Sequence, residues 1–295
     1  MPLRHLLLAL AVVAVWGSNF AVIKIALASL PPLLLATLRF LFAFFPAALF
    51  LRRPAVSWRA LALYGVLIGA GQFGLLYVAM DGRISPGLAS LVVQIQVFFT
   101  IGLAIVLAGE RVQGYQWMAL LLAAAGIGVI ALHADTTTTP AGLVLVLLAA
   151  LAWAGGNQVT RQIGRVDMLA FVVWSSLFAL PPLIVLTLVF EGAATVRHAL
   201  AAATPAVWAA VLWQSLGNTM FGYAAWGWLL ARHPAAEVSP LALLVPVFGM
   251  GTSALVLGEP LPGWKLGAAA LVLGGLALNL FWPGLRARWR GWEPA

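Results

Sequence analysis

An all-α integral membrane protein of ten transmembrane helices, arranged as two inverted five-helix repeats, is the fold this sequence predicts. Three observations carry it. Of the 295 residues 63% are hydrophobic and only 8% are charged, whereas a soluble chain carries about a quarter charged residues. Charges and Pro/Gly breaks divide the chain into ten apolar spans, most long enough to cross ~30 Å of hydrocarbon as a helix of ~20 residues. The third observation is a stretch used twice. Ser85–Leu132, moved forward by 149 positions, falls on Pro234–Phe281. Ser90 then meets Ser239, Phe99 meets Phe248, Gly109-Glu110 meets Gly258-Glu259, Gly114 meets Gly263 and Gly126 meets Gly275. An unbroken register with paired Gly-Glu stops marks an internal duplication rather than chance among Leu, Ala and Gly.

The spans follow in order. Leu6–Ala28 comes first. Arg4, an apolar run and Ala26-x-Ala28 imitate a signal peptide. Asn19 and Lys24, awkward inside a signal core, and a matching span in the second half argue instead for a retained helix. Leu33–Leu51 follows Pro31-Pro32 and stops at Arg52-Arg53; Ala60–Met80 stops at Asp81. Leu88–Ala108 and Tyr115–Leu132 are separated by the first Gly-Glu stop. After a Thr-rich link come Ala141–Thr160 and Leu169–Phe190, then Pro205–Ala231, Val238–Leu257 and Leu266–Trp282. All are helices, since isolated strands cannot satisfy their backbone in lipid. Pro46, Pro181, Pro182 and Pro246 lie inside spans and each removes a backbone bond. Pro46 and Pro182 are repeat equivalents, so paired kinks are expected in spans 2 and 7. Gly65-x-x-x-Gly69 allows a close helix approach.

Orientation follows from Lys and Arg. With an internal N-terminus the inner segments hold Arg4, Arg52, Arg53, Arg59, Arg111, Arg161, Arg165, Arg232, Arg286, Arg288 and Arg290. The outer loops hold Arg83, Arg197 and Lys265, so the count is eleven against three and both termini are expected in the cytoplasm. The same asymmetry explains the net charge of +8 without nucleic acid. The repeat also reaches spans 1, 2, 6 and 7. Phe42-Ala43 and Pro46 align with Phe178-Ala179 and Pro182, and Trp16 and Asn19 resemble Trp153 and Asn157. Five spans per half is odd, so the second half enters the membrane from the opposite side. An inverted repeat is the architecture of alternating-access transporters, with the binding site between the halves.

Polar residues well inside spans are the candidates for solute contact: Asn19, Gln72, Gln94, Gln96, Asn157, Gln214 and Asn218. A buried amide in lipid must find partners, whether in another helix or in a solute. Ser90, Gln94, Val97 and Ile101 share one helical stripe, with Gln96 about 200° away from Gln94, so Gln94 is the cavity-facing choice. Gln214, Asn218, Phe221 and Ala225 form a similar stripe in span 8. Amides beside the indoles of Trp16 and Trp153 suit a moderately polar organic solute. The substrate-binding set is thus Trp16, Asn19, Gln72, Tyr77, Gln94, Trp153, Asn157, Gln214, Asn218 and Phe221. Lys24 and Arg39 are the bases inside spans, and both are placed to snorkel to outer headgroups or to attract a substrate carboxylate. The chain has no Cys, which excludes disulfides and thiolate metal sites. No Walker A motif, His pair at metal spacing or Ser-His-Asp set is visible, so no cofactor, metal or enzyme activity is expected.

Several motifs together resemble the EamA family of the drug/metabolite transporter superfamily. They are Trp16-Gly17-Ser18-Asn19, Pro31-Pro32, Arg39-Phe40, Gly87-x-Ala89-Ser90 and Gly109-Glu110. The likeness is to bacterial amino-acid and metabolite exporters, such as O-acetylserine/cysteine exporters and YddG-like exporters. It implies one unit over residues 1–134, a link at 135–139, a second unit at 140–285 and a basic cytoplasmic tail at 286–295. It also implies an inner-membrane location and a central cavity lined by spans 1, 3, 4, 6, 8 and 9. The expected function is export of amino acids or related small metabolites by a secondary transporter, a monomer in the lipid bilayer whose partner is a small-molecule substrate. A multidrug or lipophilic-cation exporter and a non-transporting scaffold or receptor are the competing readings. Cation export calls for an acidic residue in the cavity, and none lies mid-span.

Overall fold

Ten helices thread the computed structural model, which describes residues 1–108, 113–133 and 137–290. They are α1 (Leu3–Leu27), α2 (Pro32–Leu49), α3 (Trp58–Met80), α4 (Pro86–Leu107), α5 (Gly114–Leu132), α6 (Pro140–Ile163), α7 (Met168–Glu191), α8 (Pro205–Arg232), α9 (Ser239–Leu257) and α10 (Gly263–Pro283). Nine are long and apolar enough to cross a membrane, and α8 makes a tenth together with the short helix Ala193–Ala202, from which it bends by 106°. No strand occurs among the described residues. The chain is an all-α multi-pass membrane protein, as the composition and the apolar spans predict. The short helix was not anticipated; it starts at Gly192, where φ is 82°, and ends before Thr204. Gly109-Glu110, Arg111, Asp135 at the head of the link and residues 291–295 of the tail lie outside the described residues.

In hydrocarbon the free N–H groups of a helix start need acceptors from the protein. Five helices carry their own: Ser57, Thr139, Asp167 and Thr204 side chains cap α3, α6, α7 and α8, and Gln113 and Gln116 form a capping box on α5. α2 and α4 begin at prolines and borrow theirs from the other half of the chain. Glu191, the last residue of α7, accepts from the N–H of Leu33 at 2.6 Å and of Leu34 at 3.0 Å. Glu259 accepts from the N–H of Gly87 at 2.9 Å and from the Ser85 hydroxyl. Lys265 pairs with the same carboxylate at 2.9 Å. Both acids sit at span ends, as the sequence reads, but turned inward onto helix N-termini, where a negative charge is favoured.

Regular α-helix is interrupted at matching places in the two halves. α3 contains a π segment at Leu67–Gly74 and α8 one at Trp213–Phe221. α4 tightens to a 3-10 turn at Val93–Ile95, and α9 opens as one at Ser239–Leu244. At the prolines that the repeat pairs, α-helix ends at Phe44 before Pro46 in α2, whereas α7 stays α-helical through Pro181 and Pro182.

Small residues let the helices approach closely. A Cβ on Gly65 would lie 2.1 Å from the Ser175 carbonyl oxygen, and one on Gly69 2.2 Å from the Ala179 Cβ. The Gly65-x-x-x-Gly69 pair is therefore the seam between α3 and α7. α5 and α10 meet reciprocally: Gly126 faces Val272 and the Ala268 carbonyl, while Gly275 faces the Ala119 carbonyl. A large apolar cluster fills the bundle, with Val13, Leu35, Tyr77, Leu88, Phe171 and Leu183 at or near zero exposure, and a small second one joins Ala9, Leu229 and Val238.

Candidate functional site

The polar side chains gather in two groups, both bridging the halves of the chain. The larger centres on Arg39. α2 directs this side chain inward, where it is 1% exposed. Its Nη1 donates to the Tyr77 hydroxyl at 2.9 Å, and its Nη2 donates to Asn218 Oδ1 at 2.7 Å and to Thr219 Oγ1 at 3.0 Å. The guanidinium lies over the Phe73 ring at 3.6 Å. Tyr77 in turn donates to Gln214 Oε1, and the Trp16 indole donates to the Asn218 carbonyl at 3.1 Å. Ser215 donates to the backbone carbonyl of Arg39 at 3.0 Å. Four helices thus converge: α1, α2, α3 and α8.

Local helix geometry decides which residues of α8 take part. In a π turn the bond runs from residue i to i+5. Thr219 accordingly reaches back to the Gln214 carbonyl at 2.9 Å, and it occupies the place that α-helical spacing gives to the residue before it. The expected stripe of Gln214, Asn218 and Phe221 is therefore corrected: Gln214 and Asn218 are buried in the group, and Phe221 is 40% exposed outside it.

The second group joins α4 to α6. Asn157 donates to Gln96 Oε1 at 2.7 Å and to Thr100 Oγ1 at 3.2 Å, and Gln158 donates to the Thr100 carbonyl at 2.9 Å. The choice of Gln94 over Gln96 loses its main support here. The 3-10 turn at Val93–Ile95 breaks the α-helical stripe, and Ser90, its first member, packs against Gly249 of α9. Gln94 is buried but is not brought to Gln214 or Asn218. Asn19 and Gln72 are buried with Oδ1 and Oε1 free of hydrogen-bond partners. Trp153 packs half-buried against the apolar core and joins neither group.

Snorkelling does not describe Arg39. Neutral acceptors and an aromatic face stand in for water around it, so the side chain points into the bundle. Lys24 stays near the end of its helix and donates to the Met80 carbonyl at 3.3 Å. Beside Arg39 a small cavity opens between α2, α3, α7 and α8, lined among others by Tyr64, Phe73, Ser175, Ser176, Thr219 and Tyr223. The cavity is water-sized. Two of its four walls, α2 and α7, are outside the six spans that the resemblance implies. Ser175, Ser176 and Thr219 were not singled out in the sequence. The available signal was a pair of hydroxyls in span 7 at the positions aligned with Arg39 and Phe40 in the repeat.

Comparison with known proteins adds an independent line. The EamA-like transporter family matches residues 3–132 and 140–281. A "Probable amino-acid metabolite efflux pump" of Escherichia coli K12 is 40% identical over 291 residues, covering 96% of this chain and 95% of its own. Its namesake in Salmonella typhimurium is 41% identical over 288 residues, covering 95% of each. A "Probable terminal-alkyne amino-acid exporter" of Streptantibioticus cattleyicolor is 28% identical over 280 residues, covering 90% of each. A solved crystal structure, 20% identical, covers 95% of this chain and 97% of its own with a TM-score of 0.63, which makes it similar in fold.

Proposed function

Since this chain belongs to the EamA-like transporter family, we propose that it is a secondary transporter that exports amino acids or related small metabolites. The observation that carries this is identity of 40% along 96% of the chain with an amino-acid metabolite efflux pump. Its relatives are transporters, which argues against an enzyme. The polar groups support solute recognition. The residues proposed to contact it are Asn19, Gln72 and Tyr77 with Gln214 and Asn218, Asn157 at the second group, and Gln94, with the indole of Trp16 beside Asn218 and that of Trp153 approaching only as the solute binds.

The mechanism proposed is alternating access between two inverted repeats, residues 1–134 and 140–285, joined by the link at 135–139. The π segments of α3 and α8 and the 3-10 turns of α4 and α9 support it, because these two pairs of equivalent helices carry like irregularities, although α2 ends in a 3-10 turn and α7 in a π segment. The Lys/Arg asymmetry supports an inner-membrane orientation with both termini cytoplasmic. In that orientation the Glu191 and Glu259 caps lie at the outer end and hold it shut. Export is proposed to be facilitative, the solute running down its own gradient.

The test is flux in proteoliposomes loaded with radiolabelled amino acids, with quaternary ammonium compounds in a parallel set. Counter-flow of one or more amino acids above protein-free vesicles is expected. Movement of the quaternary cations alone would replace this reading with the multidrug one.

A further inference from the structure

Arginine stays protonated in proteins, and burying its charge without an anion is costly. At Arg39 the charge is buried and the partners are all neutral: a phenol, an amide, a hydroxyl and a phenyl face. Among the described residues no carboxylate pairs with it. One donor, Nε, is buried and has no hydrogen-bond partner. The same side chain forms a wall of the cavity between α2, α3, α7 and α8. A structural arginine is normally completed by an acid; this one is left with a positive charge and a spare donor beside empty space.

The rest of the cavity has a defined polarity. Ser175 and Ser176 both spend their protons on the Val172 carbonyl, at 3.1 and 2.7 Å. Thr219 spends its proton on the Gln214 carbonyl. The hydroxyl oxygens therefore have lone pairs to offer rather than protons, which suits an ammonium group. An uncompensated cation on one wall and spare acceptors on another match the two ends of a zwitterion.

We infer that Arg39 receives the carboxylate of the transported solute where this water-sized cavity, shared with Ser175, Ser176 and Thr219, widens as the helices part. This rests on the reading of the chain as an exporter of amino acids or metabolites, and it narrows the solute to those with a free carboxylate. Nε and one proton of Nη1 have no acceptor in the protein. Exchange of the Thr219 contact on Nη2 gives the side-on pair of donors that fits a carboxylate.

The experiment measures thermal stabilisation of the purified protein in detergent by L-alanine, L-serine and L-phenylalanine, each against its carboxamide, with potassium chloride and phosphate as further arms. The same acids and amides are then used in the flux assay. At least one acid is expected to bind about tenfold or more tightly than its amide, the scale of a charge-assisted hydrogen bond. Arg39→Gln removes that preference, and Arg39→Lys restores part of it. Equal stabilisation by acid and amide, equal stabilisation by chloride or phosphate, or no stabilisation by any acid overturns the inference. If Arg39→Gln does not fold, the acid-against-amide comparison on the unsubstituted protein decides alone. Flux of amino acids without any acid preference leaves the transport reading standing and removes this site. Acid-selective stabilisation without flux does the reverse.

Discussion

Tyr77 joins the arginine to the amide of Gln214, giving one proton and accepting another. Replacing it by Phe leaves both partners buried and unsatisfied. Tyr77→Phe is expected to cost about 1–3 kcal/mol, read as a lowered thermal midpoint in detergent. An unchanged midpoint would mean that the hydroxyl is dispensable. At the second group, a double-mutant cycle on Gln96→Ala and Asn157→Ala should show coupling of roughly 0.6 kcal/mol, and up to ~1.7, as for hydrogen bonds between membrane helices. Strict additivity would show the bond to be absent. Gln214, Asn218 and Tyr77 were legible because an amide or a phenol inside an apolar run must find a partner. Thr219, Ser175 and Ser176 were not, since a hydroxyl can satisfy itself on its own helix backbone and so leaves no trace in the pattern. Arg39 stayed open between two readings in the sequence: its length permits either headgroups or the interior, and only the packing around it decides.

The ten helices were legible because lipid leaves a long apolar run few alternatives. Their interruptions were not, since π and 3-10 turns depend on what the helix packs against. For that reason the α-helical wheel misplaced Phe221. Also hidden was the capping of α2 and α4 by acids more than a hundred residues away. The Glu259–Lys265 pair tests this capping. Its side chains are 7% and 5% exposed, so removing one partner strands a buried charge and should cost about 3–5 kcal/mol. Lys265→Met alone is therefore expected to be more damaging than Lys265→Met with Glu259→Gln, by thermal unfolding in detergent. The reverse order would show that the carboxylate matters chiefly as the cap of α4.

At the scale of the whole molecule, the absence of Cys lets a single introduced thiol report orientation. Thr137→Cys, in the exposed link, should react with an impermeant thiol reagent from the outside of intact cells; reaction only after lysis would invert the topology. Of the eight acids, none lies in the middle third of a span, so a pH gradient imposed on solute-equilibrated liposomes, with membrane potential collapsed, should drive no accumulation. Protonophore-sensitive accumulation would establish coupling to protons. One feature of the packing bears on how such a body moves. α5 and α10 touch backbone to backbone through Gly126 and Gly275, and each comes from a different half. Backbones in contact have no side chains to reorganise, so they resist sliding yet permit tilting. Under the alternating-access motion proposed above the seam would serve as the fulcrum, and the halves as a lever: whatever separates them at one face of the bilayer would press them together at the other.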